Sequence, residues 1–227
     1  MNTSIIMTSD TTVAVIGLGP LGLAALKNLK DDGWDVTGFD HRDYVGGLWK
    51  AANDGSTAIL ESTVFNSSKY RAGYSDYPFP EDVDDFPTGE QIHPYLNDYC
   101  DHFGLRQHIQ LNTRVISLRR EDSRWALRVK VKNASESTYY FDKILVATGT
   151  NVKPVLPDLE DMDLFEGEAF HAVKYERPER FKDGVVLCIG FHASAIDVAL
   201  SLHKHGASKV YCTHREGVIM VSIITHD

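Results

Sequence analysis

The chain has 227 residues, a formal net charge of -9, and 43% apolar against 24% charged residues. That is ordinary globular composition, enough for one large domain or for one domain and part of a second. The acidic balance argues against nucleic acid and anionic membrane as main partners, because both recruit positive surface.

No apolar run reaches bilayer length, so no membrane span is expected. The opening MNTSIIMTSD lacks the basic-then-apolar profile of a signal peptide. Cys100, Cys188 and Cys212 show no CxxC spacing, and a reduced, cytoplasmic compartment fits them. Cys188 lies inside an apolar run and is expected to be a buried small hydrophobe.

Residues 12–16 are β-branched and apolar and run straight into glycines, which predicts a buried parallel strand. Residues 21–30 (LGLAALKNLK) predict a helix that stops near Gly33, and 35–40 (DVTGFD) a second strand. Strand, glycine turn, helix and strand make a βαβ unit with a right-handed crossover. Residues 53–89 are irregular and rich in Pro, Ser, Asp and Tyr, a length at which loops carry function or are covered. Residues 91–103 predict a helix with Thr88 as its cap. Alternation predicts strands over 110–118, 125–131 and 137–141, and 143–147 reads as a buried strand ending in Thr148-Gly149. Three antiparallel strands returning to a parallel one form a meander attached to a Rossmann sheet. Residues 152–157 hold two prolines and read as a linker. A second βαβ start follows, with a buried strand over 185–189, a helix over 193–205 and a strand over 209–213.

The strongest motif is Gly17-Leu18-Gly19-Pro20-Leu21-Gly22. It follows a predicted strand and opens a predicted helix, the context that GxGxxG requires. Gly17 permits the tight turn, Gly19 lets backbone approach a pyrophosphate, and Gly22 lets helix and strand pack closely. The helix N-terminus then offers N–H groups and the positive end of its dipole to the anion. Asp40 stands where an acid for a ribose diol is expected, about 20 residues on, although a strand-end Asp also serves as a turn former. Gly46-Gly47-Leu48-Trp49 would allow close backbone approach and wall an aromatic ring, or simply make a tight turn with two core residues.

With these motifs the sequence resembles the flavin-containing monooxygenases of the N- and S-oxidising type, over nearly its whole length. GLGPLG followed by VGGLW resembles the family's FAD-binding start. Phe65-Asn66-Ser67-Ser68-Lys69 and Tyr74-Ser75-Asp76-Tyr77-Pro78-Phe79-Pro80 are similar to its Asn-Ser/Thr-Ser and Ser-Asp-x-Pro-x-Pro segments. Val146-Ala147-Thr148-Gly149 is similar to its first Ala-Thr-Gly linker. Residues 165–175 (FEGEAFHAVKY) fit the fingerprint FxGxxxHxxx(Y/F). Tyr175 stands where related Baeyer–Villiger enzymes carry Trp, which favours heteroatom oxygenation.

The resemblance implies an α/β, Rossmann-like fold with two dinucleotide sites, a parallel sheet and an antiparallel meander. An FAD domain over 1–160 and a partial NADPH domain over 161–227 are expected, with the second incomplete. FAD would contact Gly17, Gly19, Pro20, Leu21, Gly22, Asp40, Gly47, Leu48, Trp49, Thr148 and Gly149. Asn66 would be an active-site amide near flavin and nicotinamide, able to donate and accept; a turn Asn is the alternative. His171, within the fingerprint, reads as a structural residue.

At the second site, Gly190-Phe191-His192-Ala193-Ser194-Ala195 stands where GxGxSG is typical. Gly190 and Ser194 would bind NADPH, and Asp197 resembles the family's acid on this helix. Arg215 sits where a 2′-phosphate partner belongs, or is an exposed surface arginine. His192 departs from the pattern, since a side chain there obstructs backbone approach to a pyrophosphate.

The implied reaction uses NADPH, FAD and O₂, passes through a C4a-hydroperoxyflavin, and places one oxygen atom on a nitrogen or sulfur of an amine or thioether. Exclusion of water is its main demand. The alternative is a non-catalytic flavin-binding chain. Relatives continue well past residue 227, so exposed sheet edges and apolar surface are expected to favour a homo-oligomer. A disulfide reductase is disfavoured by the absence of a closely spaced cysteine pair, and no metal-site spacing is present.

Overall fold

The computed structural model describes residues 9–51, 57–60, 62–150, 153–215 and 217. The opening segment through Thr8, residues 52–56 of the long loop, Val152 of the linker, and the terminal VIMVSIITHD lie outside the described residues.

In chain order the first elements are β1 (Ser9–Ile16), α1 (Pro20–Asp31), β2 (Trp34–Phe39), α2 (Lys69–Ala72) and α3 (Gly89–His102). The strands β3 (Ile109–Gln110), β4 (Thr113–Glu121), β5 (Arg124–Val131), β6 (Glu136–Phe141) and β7 (Lys143–Val146) follow. Last come β8 (Val185–Ile189), α4 (Ala193–Lys204) and β9 (Lys209–Thr213). The chain divides into two compact units, one of residues 1–50, 73–80 and 90–150, the other of 51–72, 81–89 and 151–227.

In the first unit a parallel sheet has the order β3-β2-β1-β7, and β4-β5-β6 form a separate antiparallel meander. The central β1 is apolar on both faces, as a strand covered on both sides must be: Val13, Ala14 and Val15 are all buried. Ala14, Ile16 and Phe39 of the sheet pack against Leu127, Val129 and Phe141 of the meander. α1 buries Leu23 and Leu26. It starts with Pro20 at its first position, where a missing N–H costs nothing. It ends before Gly33, whose φ of 82° suits glycine. α3 begins at Gly89, directly after Thr88, and runs through Pro94.

The single strand expected over 110–118 is instead two strands in two sheets. Asn112 between them has φ 53°, a left-handed conformation that Asn tolerates, and this corner turns the chain from the parallel sheet into the meander. Its N–H donates to Arg42 O at 2.7 Å.

In the second unit β8 and β9 pair in parallel. The expectation that residues 185–189 form a buried strand is corrected here. Val185, Leu187 and Ile189 are 67%, 56% and 56% exposed. The alternate residues are half-buried, including Cys188, so that expectation too is only partly met. Among the described residues α4 packs on this pair, which covers one face only. Val146, in the other strand expected to be buried, is also exposed, because β7 lies at an edge of its sheet.

Candidate functional site

Three glycines of the first turn have different physical reasons to be glycine. Gly17 has φ 94°, and a Cβ there would lie 2.5 Å from Ala147 O. A Cβ on Gly22 would lie 1.9 Å from Gly17 O, so helix and turn pack only without it. Gly19 differs: it has φ -71°, and its Cβ would meet Gly47 Cα at an ordinary 3.6 Å. The protein's own packing therefore does not demand glycine at 19. What it does is leave bare backbone at the N-terminus of a 12-residue helix that no side chain caps. That is a cradle of the kind a diphosphate occupies, and the residues present fit one.

The rest of the notch is held by backbone. Gly17 N–H donates to Phe39 O and Gly46 N–H to Leu18 O, both at 2.8 Å. Gly47, at φ 63°, approaches so closely that its Cβ would lie 2.9 Å from Gly19 Cα. Leu48 and Trp49 follow in a single 3-10 turn, with Leu48 41% exposed. Pro20 O accepts the Tyr74 hydroxyl at 2.6 Å, which ties the YSDYPFP segment to the first turn of α1. Tyr74 stacks among Tyr95 and Tyr99, and burial pushes its phenol well above the ordinary range. Leu21 is 78% exposed on the rim. Thr148 backbone adjoins Gly17, and Gly149 has φ 83° with open space where a Cβ would stand. All of these residues belong to the first unit.

Asp40 is buried, and its carboxylate has partners of its own. Oδ2 accepts Leu18 N–H at 2.8 Å and Oδ1 accepts Arg42 N–H at 3.0 Å. His41 Nδ1 lies 3.3 Å from Oδ1. Asp40 thus buckles the glycine turn to the end of β2. A carboxylate has about four lone-pair sites, so it retains capacity for a hydroxyl.

The remaining predicted residues belong to the second unit. Asn66 is exposed in a bend. It is braced by a Val64–Thr88 bridge, by Phe65 N–H to Pro87 O, and by Lys69 N–H to Asp85 O. The buried Lys69 ammonium donates to Glu81 O at 2.8 Å and to Val83 O, and lies 3.9 Å from Asp85. Gly190 has φ 118°, with nothing near an added Cβ, and its N–H donates to Thr213 Oγ1 at 3.2 Å. His192 precedes α4 in extended conformation without capping it. Ser194 and Arg215 are exposed. His171 Nδ1 accepts Val173 N–H at 3.1 Å, a structural task within its own turn.

Two relationships escape the one-dimensional reading. Thr63 Oγ1 donates to Asp197 Oδ2 at 2.8 Å, tying the segment before Asn66 to α4. Burial raises the Asp197 carboxyl, partly offset by that hydroxyl. Cys188 and Cys212 stand opposite each other in the β8–β9 register. Spacing in sequence signalled neither pair.

The family model for flavin-binding monooxygenase-like proteins matches residues 10–227. The chain belongs to this family. Monooxygenase aurF of Gibberella zeae is 39% identical over 215 residues, covering 93% of this chain and 41% of that protein. Human flavin-containing monooxygenase 1 is 35% identical over 222 residues, with coverage of 93% and 41%. The structure of S-allyl-L-cysteine S-oxygenase from Allium sativum superposes with a TM-score of 0.84 at 25% identity, covering 95% of this chain and 53% of that one. This chain therefore spans about 41% of the length of those two family members. Among the described residues no helix is long and apolar enough to cross a membrane.

Proposed function

We propose that this chain binds FAD at the Gly17–Gly22 turn and contributes to an NADPH- and O₂-dependent monooxygenase acting on a soft nitrogen or sulfur centre. The observation that carries the reading is the bare backbone at Gly19, which internal packing does not require and a diphosphate does. In this reading residues 1–160 serve FAD and 161–227 serve NADPH.

FAD supplies the redox and oxygen chemistry when bound. The first turn of α1 directs its N–H groups at the diphosphate, and Gly47 keeps the facing loop low. Asp40 accepts ribose hydroxyls while it keeps the turn closed. Leu48 and Trp49 wall the flavin from water. The Asn66 carboxamide orients the reacting groups, since it can donate and accept without changing protonation state. Gly190, Ser194 and Arg215 take the NADPH phosphates, with the fixed guanidinium suited to a 2′-phosphate. Names of relatives support the reaction class: one is an S-oxygenase, others are flavin-containing monooxygenases.

A second reading, a flavin binder that does not use NADPH, is favoured by His192, whose side chain stands where close backbone approach is needed. Anaerobic addition of NADPH to the FAD-loaded chain separates the two. Bleaching of the yellow colour supports the monooxygenase. A yellow protein that NADPH leaves unbleached supports the second reading, and a chain that takes up no FAD overturns both.

A further inference from the structure

Cys188 and Cys212 lie 24 residues apart in sequence, yet the parallel register of β8 and β9 sets them directly opposite each other. Both side chains are on the half-buried face of the pair, and both are free thiols. Neighbouring strands lie roughly 4.7–4.9 Å apart, inside the Cα separation of about 4.4–6.8 Å that a disulfide spans. In-register side chains on adjacent parallel strands leave the same face, so the two sulfurs converge. Burial, and after it the neighbouring Cys212, favour the protonated Cys188 thiol.

We propose that Cys188 and Cys212 form a reversible disulfide across β8 and β9, made by exchange with a small-molecule disulfide such as oxidised glutathione. The Cys212 thiolate attacks one glutathione sulfur, forming a mixed disulfide and expelling one glutathione thiolate. Cys188 then attacks the Cys212 sulfur, releases its proton to solvent and expels the second glutathione. The protein dithiol loses two electrons and two protons, and one oxidised glutathione becomes two reduced ones. Burial pushes the Cys188 thiol up to about 11, which assigns it the second, intramolecular step. Cβ atoms at ladder spacing stand wider than the ideal of about 3.8 Å, so closure draws the strands together and the bond is readily reduced.

The cross-link would lie two residues before Gly190 and three before Arg215, so it would fix the strand ends that present the proposed NADPH contacts. That consequence rests on the nicotinamide reading; the cross-link itself does not.

The test is peptide mapping, without reductant, of the full chain after incubation with oxidised glutathione, in buffer and in denaturing urea. The expected result in buffer is loss of two hydrogens, one peptide pair joining Cys188 to Cys212, unmodified Cys100, and reversal by dithiothreitol. C188S should stop at a glutathione adduct on Cys212, whereas C212S should leave Cys188 mostly unmodified over the same time. Separate adducts on both cysteines of the unsubstituted chain, no reaction at either, or a link that forms equally fast in urea would each overturn the proposal. NADPH bleaching of oxidised and reduced samples reads the consequence separately: a cross-link without a change in bleaching sinks only the effect on the strand ends, and a reduced sample that NADPH leaves yellow sinks the nicotinamide reading while leaving the cross-link standing.

Discussion

Leu18 N–H donates to Asp40 Oδ2 at 2.8 Å, so the acid at the end of β2 closes the glycine turn that opens α1. The same carboxylate cannot be lost without orphaning a buried donor. We expect Asp40→Ala to lower unfolding free energy by about 1–3 kcal/mol and to weaken FAD binding. Denaturant unfolding and the flavin absorbance of the purified chain read the two effects. Unchanged stability would show that the turn closes without this bond.

Gly19 and Gly22 should separate stability from binding. Gly22→Ala drives a Cβ to 1.9 Å from Gly17 O and must displace backbone; a cost of about 1–3 kcal/mol is expected. Gly19→Ala makes an ordinary contact at 3.6 Å, so its stability should change by no more than about 0.5 kcal/mol while FAD affinity falls. Full FAD occupancy in Gly19→Ala would remove the main support for a diphosphate in this notch.

Asp197 gives a pH signature. Burial raises its carboxyl above the ordinary 3.8, so between that value and the folded one the native state binds more protons than the unfolded state. Unfolding free energy therefore falls as pH rises through this window, and Asp197→Asn carries no such term. The stability of the variant relative to the parent should increase as pH rises from 3.8 and then level off. A difference that shrinks with pH would mean the folded protein favours the carboxylate.

Lys69 holds the segment 81–85 through Glu81 O, Val83 O and Asp85. Lys69→Met keeps the aliphatic stem and deletes the ammonium. We expect a loss of about 1–3 kcal/mol, from carbonyls left without their donor, and faster amide exchange across 81–85. Parental exchange rates there would show that the loop is held by other contacts.

The βαβ start, the meander and the second strand pair were legible because apolar runs, glycine turns and alternation are local signals. Asn112 was not, because a single left-handed residue breaks a strand without breaking its alternation. The exposure of Leu187 and Ile189 was not, because an apolar run reports what a strand can bury and not what lies over it. Nor did sequence reveal that residues 51–72 and 81–89 join the unit containing 151–227.

Sequence by itself determined where the Gly17–Gly22 turn lies, because glycine spacing and a following helix former act over a few residues; the flavin-binding family came from the resemblance of its motifs, from VGGLW to the 165–175 fingerprint. Only the tertiary structure decided which of those glycines the fold itself needs, that Asp40 already serves Leu18, and that two cysteines with no recognisable spacing face each other. Those are properties of register and of side chains closing through space, and one-dimensional spacing carries neither.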